Sequence, residues 1–470
     1  MQNPLRNIPS VNELLESPPL RRMVNSVSRS VVVTGVRRFL DTVREDVQVR
    51  AGEMGWPSVQ DLAQRIAEWI QLDERLPLRP VINATGILLH TGLGRAPLAQ
   101  SALQSLVEVA SGYASLEVDL DSGERSHRSQ AVRRLLQELT GAEDAAVVNN
   151  NAAATLLSLA AVAAGREVIV SRGQLIEIGG SYRLPEVMTA SGVKLREVGT
   201  TNKTRIQDYE QAIGEDTAAI LRCHTSNYRV VGFTEETPLT ELVALGHRRQ
   251  IPVIDDIGSG ALVDLAKYGV TGEPLAAASI RAGADLVLFS GDKLLGGPQV
   301  GVIAGRQSWI EKINRHPLMR ALRVDKLTLA SLGATLRLYR DEQAAETHIP
   351  LLMLLATSTD NLKYRAERIA LQLTATPTVA KAEAMADHTY LGGGSVPMQQ
   401  IPTWCIAITP AEGQTAETLA RMLRTGDPSI MGRIHQNRLM LDLRSVFPHQ
   451  DMLLVQACER LGTPAAPPAR

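Results

Sequence analysis

The chain has 470 residues, 44 % of them hydrophobic and 21 % charged, with 49 Lys and Arg against 50 Asp and Glu. That balance belongs to a globular protein and excludes a disordered chain, a fibrous repeat and a globally basic nucleic-acid coat. Only 4 Phe, 4 Trp and 8 Tyr are present, too few for a surface built on base-stacking rings, so any nucleic-acid recognition must rest on charge and shape.

At roughly 150 residues per domain the length predicts several domains. Residues 1–68 read as an N-terminal helical module. Asn12-Glu13-Leu14-Leu15 is a short apolar turn stopped by Pro18-Pro19, and Val31–Val49 has helical periodicity. Residues 1–50 carry eight Arg, no Lys and five acids, a mild basic bias that fits either a solvated helix face or a polyanion-binding one. Met1–Ser17 has no apolar core of the kind a secretory signal needs. The small-residue run Ala152–Gly165 is interrupted by Thr155 and Ser158 and is shorter than the ~18 residues of a spanning helix. A cytoplasmic protein is therefore expected. Cys223, Cys405 and Cys458 are far apart and odd in number, as buried thiols are, and fit neither a disulfide framework nor a CxxC metal site.

After a linker at 69–96, residues 97–336 read as an α/β core. The strand candidates are Ala145–Val148, Glu167–Ser171, Lys194–Val198, Ala218–Cys223, Pro252–Asp256, Asp285–Phe289 and Val300–Ala304. Helical stretches lie between them at Ala152–Ala164, Arg205–Ile213, Leu239–Arg249 and Ala276–Ala282. Such alternation predicts a mostly parallel, seven-stranded sheet, whose ligands gather beyond the carboxyl ends of the strands. Residues 337–470 read as a smaller α+β domain, with a helix over Leu351–Gln372, a strand at Trp404–Thr409, a helix over Thr415–Leu423 and a strand at Arg438–Leu443.

Four strand ends in the core carry polar groups. Val148-Asn149-Asn150-Asn151-Ala152-Ala153 opens a helix whose free N–H groups suit an anion, although Asn is also a common N-cap. His224-Thr225-Ser226-Asn227 follows the strand candidate Ala218–Cys223, and Asp255-Asp256-Ile257-Gly258-Ser259-Gly260 runs out of Pro252–Asp256. Ser290-Gly291-Asp292-Lys293 follows Asp285–Phe289 among glycines that permit close approach of a ligand. Pyridoxal phosphate enzymes need a lysine for the aldehyde, an acid for the pyridine nitrogen and a phosphate cradle, and all three occur here in order. Asn227 is placed to donate to the ring's 3-oxygen. Asp255 and Asp256 are adjacent, and the sequence leaves open which faces the ring. Arg172 and Gln174 are the local candidates for a side chain stacked on it.

Ser290-Gly291-Asp292-Lys293-Leu294-Leu295-Gly296-Gly297-Pro298-Gln299 closely resembles a segment of the bacterial selenocysteine synthases, the L-seryl-tRNA(Sec) selenium transferases. So do Asn83-Ala84-Thr85-Gly86, Gly92-Leu93-Gly94-Arg95, His224-Thr225-Ser226-Asn227 and Arg320-Ala321-Leu322-Arg323-Val324-Asp325-Lys326. The likeness extends over nearly the whole chain, to Met431-Gly432-Arg433-Ile434 and Leu441-Asp442-Leu443-Arg444. It implies the fold type I pyridoxal phosphate transferase fold and conversion of seryl-tRNA(Sec) to selenocysteyl-tRNA(Sec). The reaction implied is a β-replacement through an aminoacrylyl-tRNA, with selenophosphate as selenium donor.

By the same resemblance Lys293 carries the cofactor and removes the α-proton, a step that needs a neutral amine and hence a depressed pKa. Asp256 partners the pyridine nitrogen, while Ser290, Asn151, Ala152 and Ala153 form the phosphate cradle. Arg95, Arg320 and Arg323 match positions that hold selenophosphate, with an ion pair between subunits as the other reading. Asp292 matches an acid–base position, or else orients Lys293. Gly123-Glu124-Arg125 matches the family, whereas Ser126 and His127 depart from its pattern. Arg444 could be taken for a carboxylate-binding arginine, but an aminoacyl ester has no free carboxylate. The resemblance further implies tRNA binding by the N-terminal module and a ring-shaped homodecamer built as a pentamer of dimers, with no DNA or membrane partner. The competing reading is a pyridoxal phosphate lyase of a small amino-acid or amino-sugar-acid phosphate, which needs no N-terminal RNA module. A protein that binds tRNA without catalysis is disfavoured by Ser290, Lys293 and Asp256, and a metal hydrolase by the lack of an HExxH motif or clustered His.

Overall fold

The computed structural model describes residues 9–49, 58–74, 78–126, 128, 130–179, 182–392 and 395–462. Arg6, Arg50 and His127 lie outside the described residues. Two compact units are formed, Met1–Pro80 and Val81–Arg470.

The first unit contains helices α1 (Val11–Leu15), α2 (Pro18–Val24), α3 (Arg29–Val49) and α4 (Val59–Asp73). Pro18, expected only to stop α1, also starts α2, because its fixed φ and missing N–H suit the first helical turn. Leu14, Leu20, Val32, Val36, Leu40, Ile66 and Ile70 form its core. Gly35 lets α3 and α4 approach, since a Cβ there would come within 2.5 Å of Ile70.

The second unit begins with β1 (Val81–Asn83), which pairs in parallel with a strand at Ser429–Met431. The stretch read as a linker, 69–96, thus holds the end of α4, this strand and the loop bearing Arg95. Its central sheet contains β2 (Asp144–Val148), β3 (Glu167–Ser171), β6 (Lys194–Val198), β7 (Thr217–Cys223), β8 (Val253–Gly258), β9 (Leu286–Ser290) and β10 (Gly301–Gly305). A short hairpin of β4 (Glu177–Ile178) and β5 (Tyr182–Arg183) lies between β3 and β6 in the chain. The seven strands run in the order β2-β10-β9-β8-β7-β3-β6. β10 is antiparallel to both its neighbours, and the other pairs are parallel, giving the mostly parallel seven-stranded sheet that the sequence predicts. Residues on both faces are buried, which explains why the strands read as continuous apolar runs.

The C-terminal part is a four-stranded antiparallel sheet of β11 (Val379–Gly392), β12 (Ser395–Pro410), β14 (Arg433–His435) and β15 (Arg438–Asp442), in the order β11-β12-β15-β14. The strand pairing with β1 takes the intervening label β13 (Ser429–Met431). The helix expected over Leu351–Gln372 is two helices, Pro350–Ala356 and Thr359–Thr374. Ser358 caps the second through Asn361 N, and the carbonyl of Thr357 accepts from Arg444 instead of continuing a helical ladder. Cys223, Cys405 and Cys458 are free and buried. Among the described residues no helix is long and apolar enough to cross a membrane.

A buried ion pair locks the C-terminal helix, Asp451–Gly462, to Thr359–Thr374. Asp451 accepts from Arg365 at 2.7 Å and from Arg368 at 2.6 Å, and the side chains of Arg365 and Asp451 are 6 % and 3 % exposed. Removing one partner leaves a poorly compensated buried charge. Arg365→Met is therefore expected to lower the unfolding free energy by about 3 kcal/mol in urea titrations, and Arg365→Met/Asp451→Leu to recover part of it. An unchanged midpoint in the single variant would contradict this role.

Candidate active site

The carboxyl edge of the sheet gathers the polar strand ends. Helix α5 (Asn151–Ala163) follows β2 directly. Asn150 caps it by accepting from Ala153 N at 2.9 Å, which leaves the small first-turn residues Asn151 and Ala152 facing outward from the helix N-terminus. Asn151 Nδ2 donates to Asp256 Oδ1 at 2.8 Å, and Thr155, one turn further along the same helix face, donates to Asp256 Oδ2 at 2.8 Å. Gly258 N adds a third donor at 3.1 Å. Burial pushes the Asp256 carboxyl above the ordinary Asp range, while these donors and the Lys293 amine pull it back.

The choice between the two acids follows from strand geometry. Successive side chains of β8 point to opposite faces of the sheet. Asp256 faces α5, whereas Asp255 faces away and pairs with Arg222 of β7 at 2.8 Å. Asp255 is therefore half of a buried ion pair, and Asp256 is the acid at the site.

Lys293 lies just beyond β9 and is 7 % exposed. Burial, then the Arg95 guanidinium, hold its amine below the ordinary lysine range, opposed by the charges of Asp256 and Asp292. Asp292 Oδ2 accepts from Arg95 Nη1 at 2.9 Å, and the Arg95 loop is anchored by Ala96 N donating to the Asp292 carbonyl at 3.3 Å. Arg95 itself has φ 62°, a left-handed conformation costly for a side-chain-bearing residue. Ser290, the last residue of β9, is 5 % exposed. Gly260 lets the turn after β8 press on it, since a Cβ there would lie 2.3 Å from the Ser290 carbonyl oxygen.

Other expected residues are placed differently. Asn227 donates its amide to the Glu177 carbonyl at 2.7 Å, tying hairpin β4–β5 to the end of β7, and its buried Oδ1 has no partner. Arg323 pairs with Glu117 at 3.7 Å beside Arg125 and Arg128, so an ion pair within the chain occupies it. Its backbone bridges Val148, at the end of β2. Arg320 is exposed on the short helix Pro317–Leu322. Neither candidate for ring stacking faces Asp256. Arg172 binds Glu197 and the Gly199 carbonyl, and Gln174 joins Glu236 to Cys223 N. Ser126 donates its N–H to the Glu117 carbonyl. Arg444 is buried, with Nη1 and Nη2 donating to the carbonyls of Leu354, Leu355, Thr357 and Pro402, which makes it a staple between β12 and the helix Pro350–Ala356.

Two residues at the site escaped the sequence reading. Thr155 was legible from its i, i+4 spacing to Asn151. Tyr182 of β5 had no such signal, yet burial and the neighbouring Asp256 push its phenol well above the ordinary range, and Thr155 hydrogen-bonds it.

These groups fit pyridoxal phosphate by their chemistry. A buried carboxylate gripped by three donors, a buried low-pKa lysine, and a helix N-terminus with small side chains are what its pyridine nitrogen, aldehyde and phosphate require. The partnerless oxygens of Asn151 and Asn227 mark polar positions that the protein alone leaves unsatisfied.

A family model described as L-seryl-tRNA selenium transferase matches residues 81–447, and one described as selenocysteine synthase N terminal matches residues 5–44. The chain is 47 % identical over 457 residues to an L-seryl-tRNA(Sec) selenium transferase of Moorella thermoacetica, covering 97 % of this chain and 96 % of that protein. It is 43 % identical over 459 residues to the protein of the same name from Geobacter sulfurreducens, covering 97 % and 99 %. Among solved structures, a D-glucosaminate-6-phosphate ammonia-lyase shares the fold with a TM-score of 0.58 at 22 % identity, over 82 % of this chain and 96 % of that one. With both parts of the chain matched and the identity sustained along nearly its whole length, this protein belongs to the L-seryl-tRNA selenium transferase family.

Proposed function

We infer that this protein converts L-seryl-tRNA(Sec) to L-selenocysteyl-tRNA(Sec) with pyridoxal 5′-phosphate as cofactor and selenophosphate as selenium donor. The observation that carries the reading is the buried Lys293 amine coupled to Asp256 at the carboxyl edge, in a chain that matches transferases of this name over 97 % of its length. Bound pyridoxal phosphate supplies an electron sink that acidifies the serine α-C–H and lets the β-hydroxyl leave.

The chain's own residues do the rest. Asp256, whose carboxyl burial raises and the donors Asn151, Thr155 and Gly258 pull back, faces the pyridine nitrogen as its acid partner. Ser290 and the first turn Asn151-Ala152-Ala153 receive the cofactor phosphate through hydroxyl and N–H donors. Lys293, its pKa lowered by burial and Arg95, takes the α-proton at its Nζ and as the resulting ammonium returns it toward the departing hydroxyl, while the Asp292 carboxylate relays that proton or holds Lys293 in line. Arg95, Arg320 and Arg323 offer fork-shaped donors to selenophosphate, for which Arg323 exchanges Glu117 for the anion. The N-terminal helical unit takes the tRNA through its arginines and shape, the assembly is a homodecamer, and the setting is the cytoplasm. The competing small-substrate lyase reading has only a shared fold at 22 % identity behind it.

Purified protein loaded with pyridoxal phosphate, given seryl-tRNA(Sec) and selenophosphate, is expected to form selenocysteyl-tRNA(Sec) and to leave free L-serine unchanged. Turnover of free serine or of small phosphorylated amino acids, with none of the charged tRNA, would overturn the assignment. Asp256→Asn should retain cofactor but lose about 100-fold or more in kcat, since a neutral amide no longer stabilises charge at the ring nitrogen. Asp255→Asn should leave kcat within a few-fold and instead cost about 3 kcal/mol of stability, because Arg222 is left buried without its partner. Equal losses of kcat in the two would contradict the facing of β8.

A further inference from the structure

A cavity of about 420 Å³ opens at the carboxyl edge beside the Asp256–Lys293 site, walled by the segments that follow β3, β6 and β7, by Thr271–Glu273 beyond β8 and by Gln399 of β12. Nothing in the mechanism above uses it. The backbone joins the two: His224, in its wall, donates its N–H to the Asp256 carbonyl at 2.8 Å, and Gln174, also in its wall, accepts from Cys223 N at 3.0 Å.

The lining is rich in hydrogen-bond acceptors. Glu236 is held by Gln174 Nε2 at 2.7 Å. Glu273, its side chain 6 % exposed, has one oxygen 3.5 Å from His224 Nε2, while the other, Oε2, is buried with no hydrogen-bond partner. A buried carboxylate oxygen left so is costly, and a ligand carrying hydroxyl or amine donors removes the cost. Cations complete the wall. The Lys203 ammonium lies 3.2 Å from the Phe233 ring centroid, and Arg229 is exposed. Acceptors within a cavity of this size, with cations beside them, suit a nucleotide: donors on ribose and base, anionic charge on phosphate.

We propose that this cavity binds the 3′-terminal nucleotide of the charged tRNA, with Glu273 accepting a hydrogen bond from its ribose or base. The inference rests on the seryl-tRNA reading and deepens it. The seryl group is esterified to the terminal ribose, so a serine reacting at Lys293 holds that ribose within a few bonds of the same edge, where this cavity lies. Every tRNA ends in the same nucleotides, so the cavity fixes the reacting ester in place and leaves the choice among tRNAs to contacts elsewhere. Glu273, Lys203 and His224 are positioning residues.

The test uses the pyridoxal phosphate-loaded full chain and the trinucleotide cytidine-cytidine-adenosine that ends tRNA. The trinucleotide is expected to inhibit competitively against seryl-tRNA(Sec) and to bind wild type in fluorescence anisotropy, with its all-deoxy form weaker. Glu273→Gln and Lys203→Ala should each weaken trinucleotide binding and raise KM for seryl-tRNA(Sec) about tenfold, with kcat within about twofold, while the cofactor absorbance band and melting midpoint stay at wild-type values. Should Glu273→Gln fail to fold, Lys203→Ala and the wild-type competition still decide. Wild-type conversion of seryl-tRNA(Sec) with no trinucleotide binding, or with KM unchanged in both variants, overturns the cavity assignment and leaves the function standing. Failure of wild type to act on seryl-tRNA(Sec) at all overturns the function instead.

Discussion

Asp256 and Lys293 are buried side by side at the carboxyl edge of the sheet, and burial penalises the charge on each of them. Their mutual attraction works against that penalty, but alone it would treat both groups alike. The surroundings break the symmetry. Three donors converge on Asp256 and favour its ionised form, while the Arg95 guanidinium acts on Lys293 and favours its neutral form. Donors that favour the charged acid and a cation that disfavours the charged amine are what an electron sink and a base require of neighbouring groups.

The fold is arranged to hold that asymmetry. Asn151 and Thr155 reach Asp256 because α5 starts within three residues of the end of β2 and keeps one face on the sheet. Arg95 reaches Asp292 because its loop, in a left-handed turn, is bonded through Ala96 to the Asp292 backbone. β1 anchors the start of that loop region by pairing with β13, which makes residues 81–96 part of the frame around the candidate site.

Much of this was legible in the sequence. The seven strands declared themselves because a parallel sheet buried on both faces produces short apolar runs, and the polar residues that follow them mark its ligand edge. Local patterns did less well where the partner is distant. β1 is three residues long and is defined by Ser429–Met431, some 350 positions away in the chain, so no window around it could reveal a strand. The 351–372 region reads as one helix, and the break combines the local cap by Ser358 with the distant contact of Arg444 with Thr357. At the site, Asp255 and Asp256 are equivalent in sequence and become distinct only when Arg222 appears on one face and α5 on the other. Asn227 was rightly placed at the strand end, yet its amide is engaged by Glu177, a contact that depends on where a two-residue strand lands. Tyr182, from that same hairpin, feels the Asp256 charge and hydrogen-bonds Thr155.

The claim on which the account turns is that burial together with Arg95 lowers the pKa of the Lys293 amine. The direct measurement is the pH dependence of the rate at which cofactor-stripped protein recaptures pyridoxal phosphate, since only the unprotonated amine reacts with the aldehyde. The account predicts a midpoint below the ordinary lysine range. It also predicts an upward shift in Arg95→Ala, because removing the guanidinium withdraws a repelling cation and frees the Asp292 carboxylate to stabilise the ammonium. A wild-type midpoint in the ordinary lysine range, or a downward shift in the variant, would contradict it.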